Sequence, residues 1–322
     1  MWARALRPCA YLLRMTLLRP PVLPELHTDS DDPRLVHLMG REVTGDAPPR
    51  AVIVGFPSDE GVRRNGGRPG AAAGPAAIRN ALYRMTPDAN AVAAYSATLS
   101  RTQDLGDVEV SGDVETDQQR LADVLAPHLQ AGAMVIVLGG GHETAYGHFL
   151  GHARAAPPVR ILNWDAHADV RPLRDGLAHS GSPFRQALEH PSGSCASYWV
   201  AGLQPSSASG AHLAYVRANG VAHMRASVDR SLVASLYAAS PTMVTFDMDA
   251  VDRSQAPGVS APATDGLPAS LWLQAARLAG STPSVRGVDV VELSPPFDRD
   301  GQTAALAART VWTVLQGLTE RM

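Results

Sequence analysis

The chain contains no lysine. All 28 basic residues are arginine, and against 31 acidic residues they leave a net charge of −3. A chain so balanced offers no basic face of the kind that holds nucleic acid. The arginine bias itself reflects genome composition and carries no functional reading. Cysteine is scarce: Cys9 and Cys195 are the two, and neither belongs to a Cys-x-x-Cys pair or stands at zinc-finger spacing from a histidine. Both are read as free thiols in a reducing cytoplasm. No apolar run reaches the roughly eighteen residues of a spanning helix, so no membrane span is expected. Neither a low-complexity linker nor an internal repeat divides residues 50–322.

At 322 residues and 45% hydrophobic content, the chain can bury a sizeable core. Residues 1–24 carry Arg4, Arg7, Arg14 and Arg19 and no acid. They superficially suit a transit peptide, but their apolar stretch is short and broken by Arg and Pro. A disordered or mis-assigned extension, with Met15 as the true start, is the preferred reading. Residues 25–322 are expected to form a single catalytic domain.

Short apolar runs recur at 51–56, 134–138, 159–164, 198–201, 243–246 and 285–293. Near-continuous apolarity fits strands covered on both faces. Between them lie helical patterns: 74–85, 115–130, 143–154, 182–189, 207–218, 268–278 and 303–318. This alternation predicts a three-layer α/β/α sandwich around a mostly parallel, roughly eight-stranded sheet.

Ligands in such sheets collect at the carboxyl ends of the strands. Four motifs stand at predicted strand ends: Gly139-Gly140-Gly141-His142-Glu143, Asp165-Ala166-His167-Ala168-Asp169, Asp247-Met248-Asp249 with Asp252, and Glu292. In extended backbone, Asp165, His167 and Asp169 would share one face. Alternate acids at the end of an apolar strand cost desolvation energy for no packing gain. Taken as one site, His142, Asp165, His167, Asp169, Asp247 and Asp249 combine four carboxylates with two imidazoles. Two divalent cations balance that charge, with two aspartates bridging. Carboxylate and imidazole without thiolate favour Mn2+ over a structural zinc site, and such a pair can activate water for attack on an electrophilic carbon.

Each piece has a plainer reading in isolation. His142 alone could be a loop histidine, and Asp247 and Asp249 a solvated strand end. The triple glycine alone could be a phosphate turn, but the Gly-x-x-x-x-Gly-Lys pattern is missing. The other histidines, His148 and His152 among them, are read as surface or packing residues.

Together these motifs resemble the ureohydrolase family of arginase, agmatinase and formimidoylglutamase. Gly140-Gly141-His142, Asp165-Ala166-His167-Ala168-Asp169 and Asp247-Met248-Asp249-Ala250-Val251-Asp252 follow the family order, and the resemblance spans roughly residues 50–318. The stretches 139–148, 180–186 and 257–262 are most similar to the formimidoylglutamase branch. The resemblance implies an arginase-like fold and two Mn2+ per chain. One ion would be held by His142, Asp165, Asp169 and Asp247, the other by Asp165, His167, Asp247 and Asp249. Asp252 would orient a ligand or its loop. Glu292 would receive the cationic end of the substrate. Ser180 stands where arginases and agmatinases have a histidine often assigned as a proton shuttle. That departure leaves the general acid open, with His179 and Asp169 as candidates.

The implied reaction is hydrolysis of N-formimidoyl-L-glutamate to L-glutamate and formamide. Such a substrate carries two carboxylates, so Arg68, Arg171 and Arg185 are candidate receptors, with Arg63 and Arg64 behind them. A homo-oligomeric cytoplasmic enzyme without nucleic-acid or membrane partners is expected. The rivals are another guanidino-acid amidinohydrolase, guanidinobutyrase- or agmatinase-like, and a non-catalytic binding protein that kept the fold. A zinc deacetylase of related fold tends to carry tandem histidines, and no His-His occurs here.

Overall fold

A computed structural model describes residues 17–40, 48–155, 158–237 and 240–321. Residues 1–16, Cys9 included, lie outside the described residues, as does most of the expected N-terminal extension. What is described of that extension contributes a short strand, β1 (Leu18–Arg19).

Eight further strands follow in one sheet: β2 (Ala51–Phe56), β3 (Thr102–Val108), β4 (Met134–Gly139), β5 (Val159–Trp164), β6 (Cys195–Leu203), β7 (Gly220–Met224), β8 (Thr242–Asp247) and β9 (Val285–Val291). Their order is β1-β3-β2-β4-β9-β8-β5-β6-β7. Strands β2 to β9 pair in parallel throughout, and β1 alone is antiparallel. The expected eight-stranded sheet is thus present, extended at one edge by β1.

Alternate residues of the central strands feed opposite layers, as the pleat requires. Ile53 and Ile136 join one apolar cluster, while Val52, Val54, Val135 and Val137 join another. Helices Ala269–Ser281 and Gln302–Thr319 pack together over the first face, with Gly74–Leu82 against the second of them. Helices Val114–Gln130 and Thr144–Ala155 pack together over the other. Helix Val114–Gln130 is started by Asp113, whose side chain accepts from the Thr116 N–H.

Strands β3 and β7 escape the apolar-run criterion. In β3 the acids Asp104 and Asp107 bind buried Arg79, so the strand is polar in sequence yet internal in the sheet. Edge strand β7 is half-buried along its whole length.

Candidate metal centre

The sheet order puts the four motif-bearing strands β4, β9, β8 and β5 side by side. Register aligns their ends: Leu138 pairs with Val290, Asp247 with Val291, and Trp164 with Phe246. Motifs separated by up to 150 residues of chain therefore open on one edge.

Close approach explains the triple glycine. A Cβ on Gly140 would lie 1.8 Å from the Ser58 carbonyl oxygen, and the Gly141 N–H donates to that oxygen at 2.8 Å. The turn is made for backbone contact.

Beyond Trp164 the backbone leaves the strand, so Asp165, His167 and Asp169 do not converge by extended alternation as the sequence suggested. A side-chain turn does it instead. The His167 N–H donates to Asp165 Oδ1 at 2.6 Å, and Asp249 N–H donates to Asp247 Oδ1 at 2.8 Å. Both motifs fold as Asx turns, because a short carboxylate can cap the N–H two residues on. Asp169 sits at φ +46°, which turns its carboxylate back toward the cluster.

Two groups of ligand-type atoms result: His142, Asp165, Asp169 and Asp247, then Asp165, His167 and Asp249, the atoms of each group lying within 4.8 Å of one another. His142 Nδ1 is 2.8 Å from Asp247 Oδ2, 3.1 Å from Asp169 Oδ2 and 3.4 Å from Asp165 Oδ2. His167 Nδ1 is 3.1 Å from Asp249 Oδ2 and 3.5 Å from Asp165 Oδ1. Asp165 thus divides its two oxygens between the groups. Asp247, expected to bridge as well, lies with the first group only.

The donor set fits a pair of cations. His142 Nδ1, which faces the cluster, and Asp249 Oδ1 are buried without a hydrogen-bond partner. Burial disfavours the His142 imidazolium, but Asp247, Asp165 and Asp169 outweigh it and hold its pKa well above the ordinary value. Asp249 raises His167 in the same way, with Asp165 adding to it. Burial, with Asp249 and Asp165 close by, pushes Asp247 up. Asp165 is also pushed up by burial, but the His142 and His167 rings beside it overcome that and leave it below the usual carboxylate range. Protons here occupy positions for which cations compete.

Beside the cluster lies a cavity of ≈ 200 Å³ whose wall includes Asn65, Arg171, Ser180, Ser260 and Glu292. Glu292 is buried, and burial together with Glu143 and Asp249 raises its carboxyl to about 8. Its backbone is left-handed at φ +65°. Arg171 reaches the cavity, its Nη1 donating to Asn65 Oδ1 at 2.9 Å. The structure does not bring Arg68 or Arg185 to this wall. Arg68 donates to the carbonyls of Ser260 and Val259 and covers the Phe297 ring. Arg185 pairs with Glu189 and covers the Tyr215 ring. Arg63 and Arg64 are both paired with Glu60.

His179 is adjacent in sequence but turned away. Its Nδ1 accepts from the Gly181 N–H at 3.1 Å, and its Nε2 lies 3.0 Å from the Pro172 carbonyl oxygen. Both ring nitrogens are engaged by backbone, and Ser180 lines the cavity in its place. Asp252 serves its loop: it accepts from Ser254 and from the Gly266 N–H.

Asn65 and Ser180, bonded to each other at 3.1 Å, were not singled out as site residues from the sequence. Neither was Asn163, which donates to Asp165 Oδ2 at 2.9 Å. Asn163 directly precedes the second motif's Trp164-Asp165, and that adjacency was the one signal available for it.

A family model described as the arginase family matches residues 49–316. The formimidoylglutamase of Rhodococcus jostii is 41% identical over 288 residues, covering 84% of this chain and 87% of that protein. That of Chromobacterium violaceum is 36% identical, covering 84% and 88%. A crystal structure of Trypanosoma cruzi formiminoglutamase with Mn2+ superposes with a TM-score of 0.83 at 36% identity, covering 91% of this chain and all of that one.

Proposed function

The chain belongs to the arginase family, and we propose that it hydrolyses N-formimidoyl-L-glutamate to L-glutamate and formamide with two Mn2+ ions. His142, Asp165, Asp169 and Asp247 would hold one ion; Asp165, His167 and Asp249 would hold the other. The observation that carries the reading is the divided carboxylate of Asp165, which joins two ligand groups whose His167, Asp169, Asp247 and Asp249 line the same cavity as Glu292 and Arg171. The names of the relatives point to the same reaction. When bound, the ion pair supplies an acidified water and Lewis acidity.

The side chains do the rest. Glu292, ionised against the substrate's planar amidinium, sets the reacting carbon in place. Arg171, held by Asn65, receives a carboxylate of the glutamate moiety, with Ser180 beside it. Arg68 and Arg185 are left to hold protein structure. Asp169, at the boundary of cluster and cavity, is the group placed to move a proton toward the leaving amine.

Residues 25–322 act in this reading as one catalytic unit, assembled as a homo-oligomer in the cytoplasm. Among the described residues no helix is long and apolar enough to cross a membrane.

A product assay tests the reading. Mn2+-loaded protein is offered formimidoylglutamate, guanidinobutanoate, agmatine and arginine, and formamide and urea are measured. Formamide release from the first, with kcat/KM well above that for the others, is expected. Urea release from a guanidino substrate, or no turnover of any, overturns it.

A further inference from the structure

We propose that Asp289, acting through Thr245, is a positioning residue that fixes the tautomer and aim of His142. The inference rests on the reading of His142 as a metal ligand. Behind that histidine, on the side away from the cavity, runs a chain of buried polar groups. His142 Nε2 is 2.9 Å from Thr245 Oγ1. The Thr245 hydroxyl donates to Asp289 Oδ1. Asp289 Oδ2 lies 2.7 Å from His148 Nδ1. Thr245, Asp289 and His148 are all 0% exposed, so no solvent competes for these bonds.

The direction of the chain follows from donor chemistry. A carboxylate only accepts, and a hydroxyl has one proton. Thr245 spends that proton on Asp289 and presents only lone pairs to His142. The imidazole must then carry its proton on Nε2. Its Nδ1, which faces Asp165, Asp169 and Asp247, is left as a bare lone pair. The opposite tautomer would point N–H into the cluster and could not bind a cation. His148, from helix Thr144–Ala155, holds the second oxygen of Asp289 and keeps that carboxylate facing Thr245.

The sheet makes this arrangement rigid. Thr245 and Asp289 are register partners on β8 and β9. Thr245 and Asp247, two apart on β8, lie on one face. One strand therefore supplies both a ligand carboxylate and the hydroxyl that aims the neighbouring imidazole. The two histidines hold separate places, His142 at the cluster and His148 behind its support.

The test is Mn2+ binding to the metal-stripped full-length chain, by calorimetry and by metal content after dialysis, with thermal melts to confirm folding. Thr245→Val and Asp289→Asn should each weaken one of two Mn2+ sites by about 10–100-fold and spare the other. Thr245→Ser, which keeps the hydroxyl, should bind as the unmodified chain does. Because both residues act through one chain of bonds, the double variant should lose no more than the worse single variant. Unchanged affinity in folded Thr245→Val, equal loss in Thr245→Ser, or additive losses in the double variant would overturn the proposal. His142→Ala that binds both ions normally would instead overturn the ligand reading beneath it. If Asp289→Asn does not fold, the Val and Ser variants at Thr245 decide the matter alone.

Discussion

The main-chain N–H of His142 donates to Glu292 Oε1 at 2.8 Å. A reciprocal tie runs from the Glu292 N–H to the Gly140 carbonyl, also 2.8 Å. The turn that starts the metal cluster and the acid on the cavity wall are thus fixed to each other across adjacent strands β4 and β9. Small displacements of either would be transmitted to the other.

Glu292→Gln keeps the shape of the side chain and its bond to His142 but removes the charge that pairs with an amidinium. We expect kcat/KM for formimidoylglutamate to fall about 100-fold or more. Mn2+ content should stay unchanged. Steady-state formamide release and metal analysis on the same preparation check this.

Asp165 serves both groups of ligand atoms, whereas Asp249 belongs to one. Removal of metal by a chelator should abolish activity, and added Mn2+ should restore it. Asp165→Asn should lose both ions on dialysis and Asp249→Asn chiefly one. Metal stoichiometry per chain is the measurement, and equal retention in the two variants would contradict the shared role of Asp165.

Arg171 and Arg185 were equal candidates in the sequence, and the structure separates them. Arg171→Met should raise KM about 10–100-fold, the scale of one lost charged hydrogen bond, with a smaller change in kcat. Arg185→Ala, which breaks a pair with Glu189 and a ring contact with Tyr215 away from the cavity wall, should leave KM within about twofold. Kinetics on both variants decide it.

Glu143 is buried beside the cavity wall, and burial raises its carboxyl from 4.5 to about 7. Between those values the native state holds a proton that the unfolded state has released. Stability of the metal-free chain should therefore fall as pH rises across that window. The difference amounts to about 3 kcal/mol. Glu143→Gln removes the titrating group and should flatten this part of the profile. Chemical denaturation of both chains from pH 4.5 to 8 spans the shift and checks the sign.

Arg79 is 1% exposed and binds Asp104 and Asp107 at once. Replacing it with Met leaves two acids of β3 without their shared cation. A loss of about 3–5 kcal/mol in unfolding free energy is expected, with the metal cluster intact in whatever fraction folds. Denaturant titration measures it.

The architecture was legible because its signals are local. Apolar runs such as Val135-Ile136-Val137 report a strand covered on both faces, and the order of strand and helix fixes a parallel sheet. Strand β3 was invisible for the complementary reason: its partners for Asp104 and Asp107 come from Arg79, 25 and 28 residues away. The residue types of the metal cluster were equally plain, since carboxylate and imidazole donors state their chemistry wherever they stand. Their convergence was expected from the wrong cause, extended alternation, when Asx turns at Asp165 and Asp247 perform it.

What the sequence by itself determined is the set of ligand-type side chains and the edge of the sheet where they gather. Only the tertiary structure decided how they are grouped, which arginine lines the cavity, and that His179 is occupied by backbone. The physical reason is range. A donor type belongs to its own residue, but the availability of a side chain depends on partners brought from elsewhere: Asn65 for Arg171, Val259 and Ser260 for Arg68, Asp289 for Thr245.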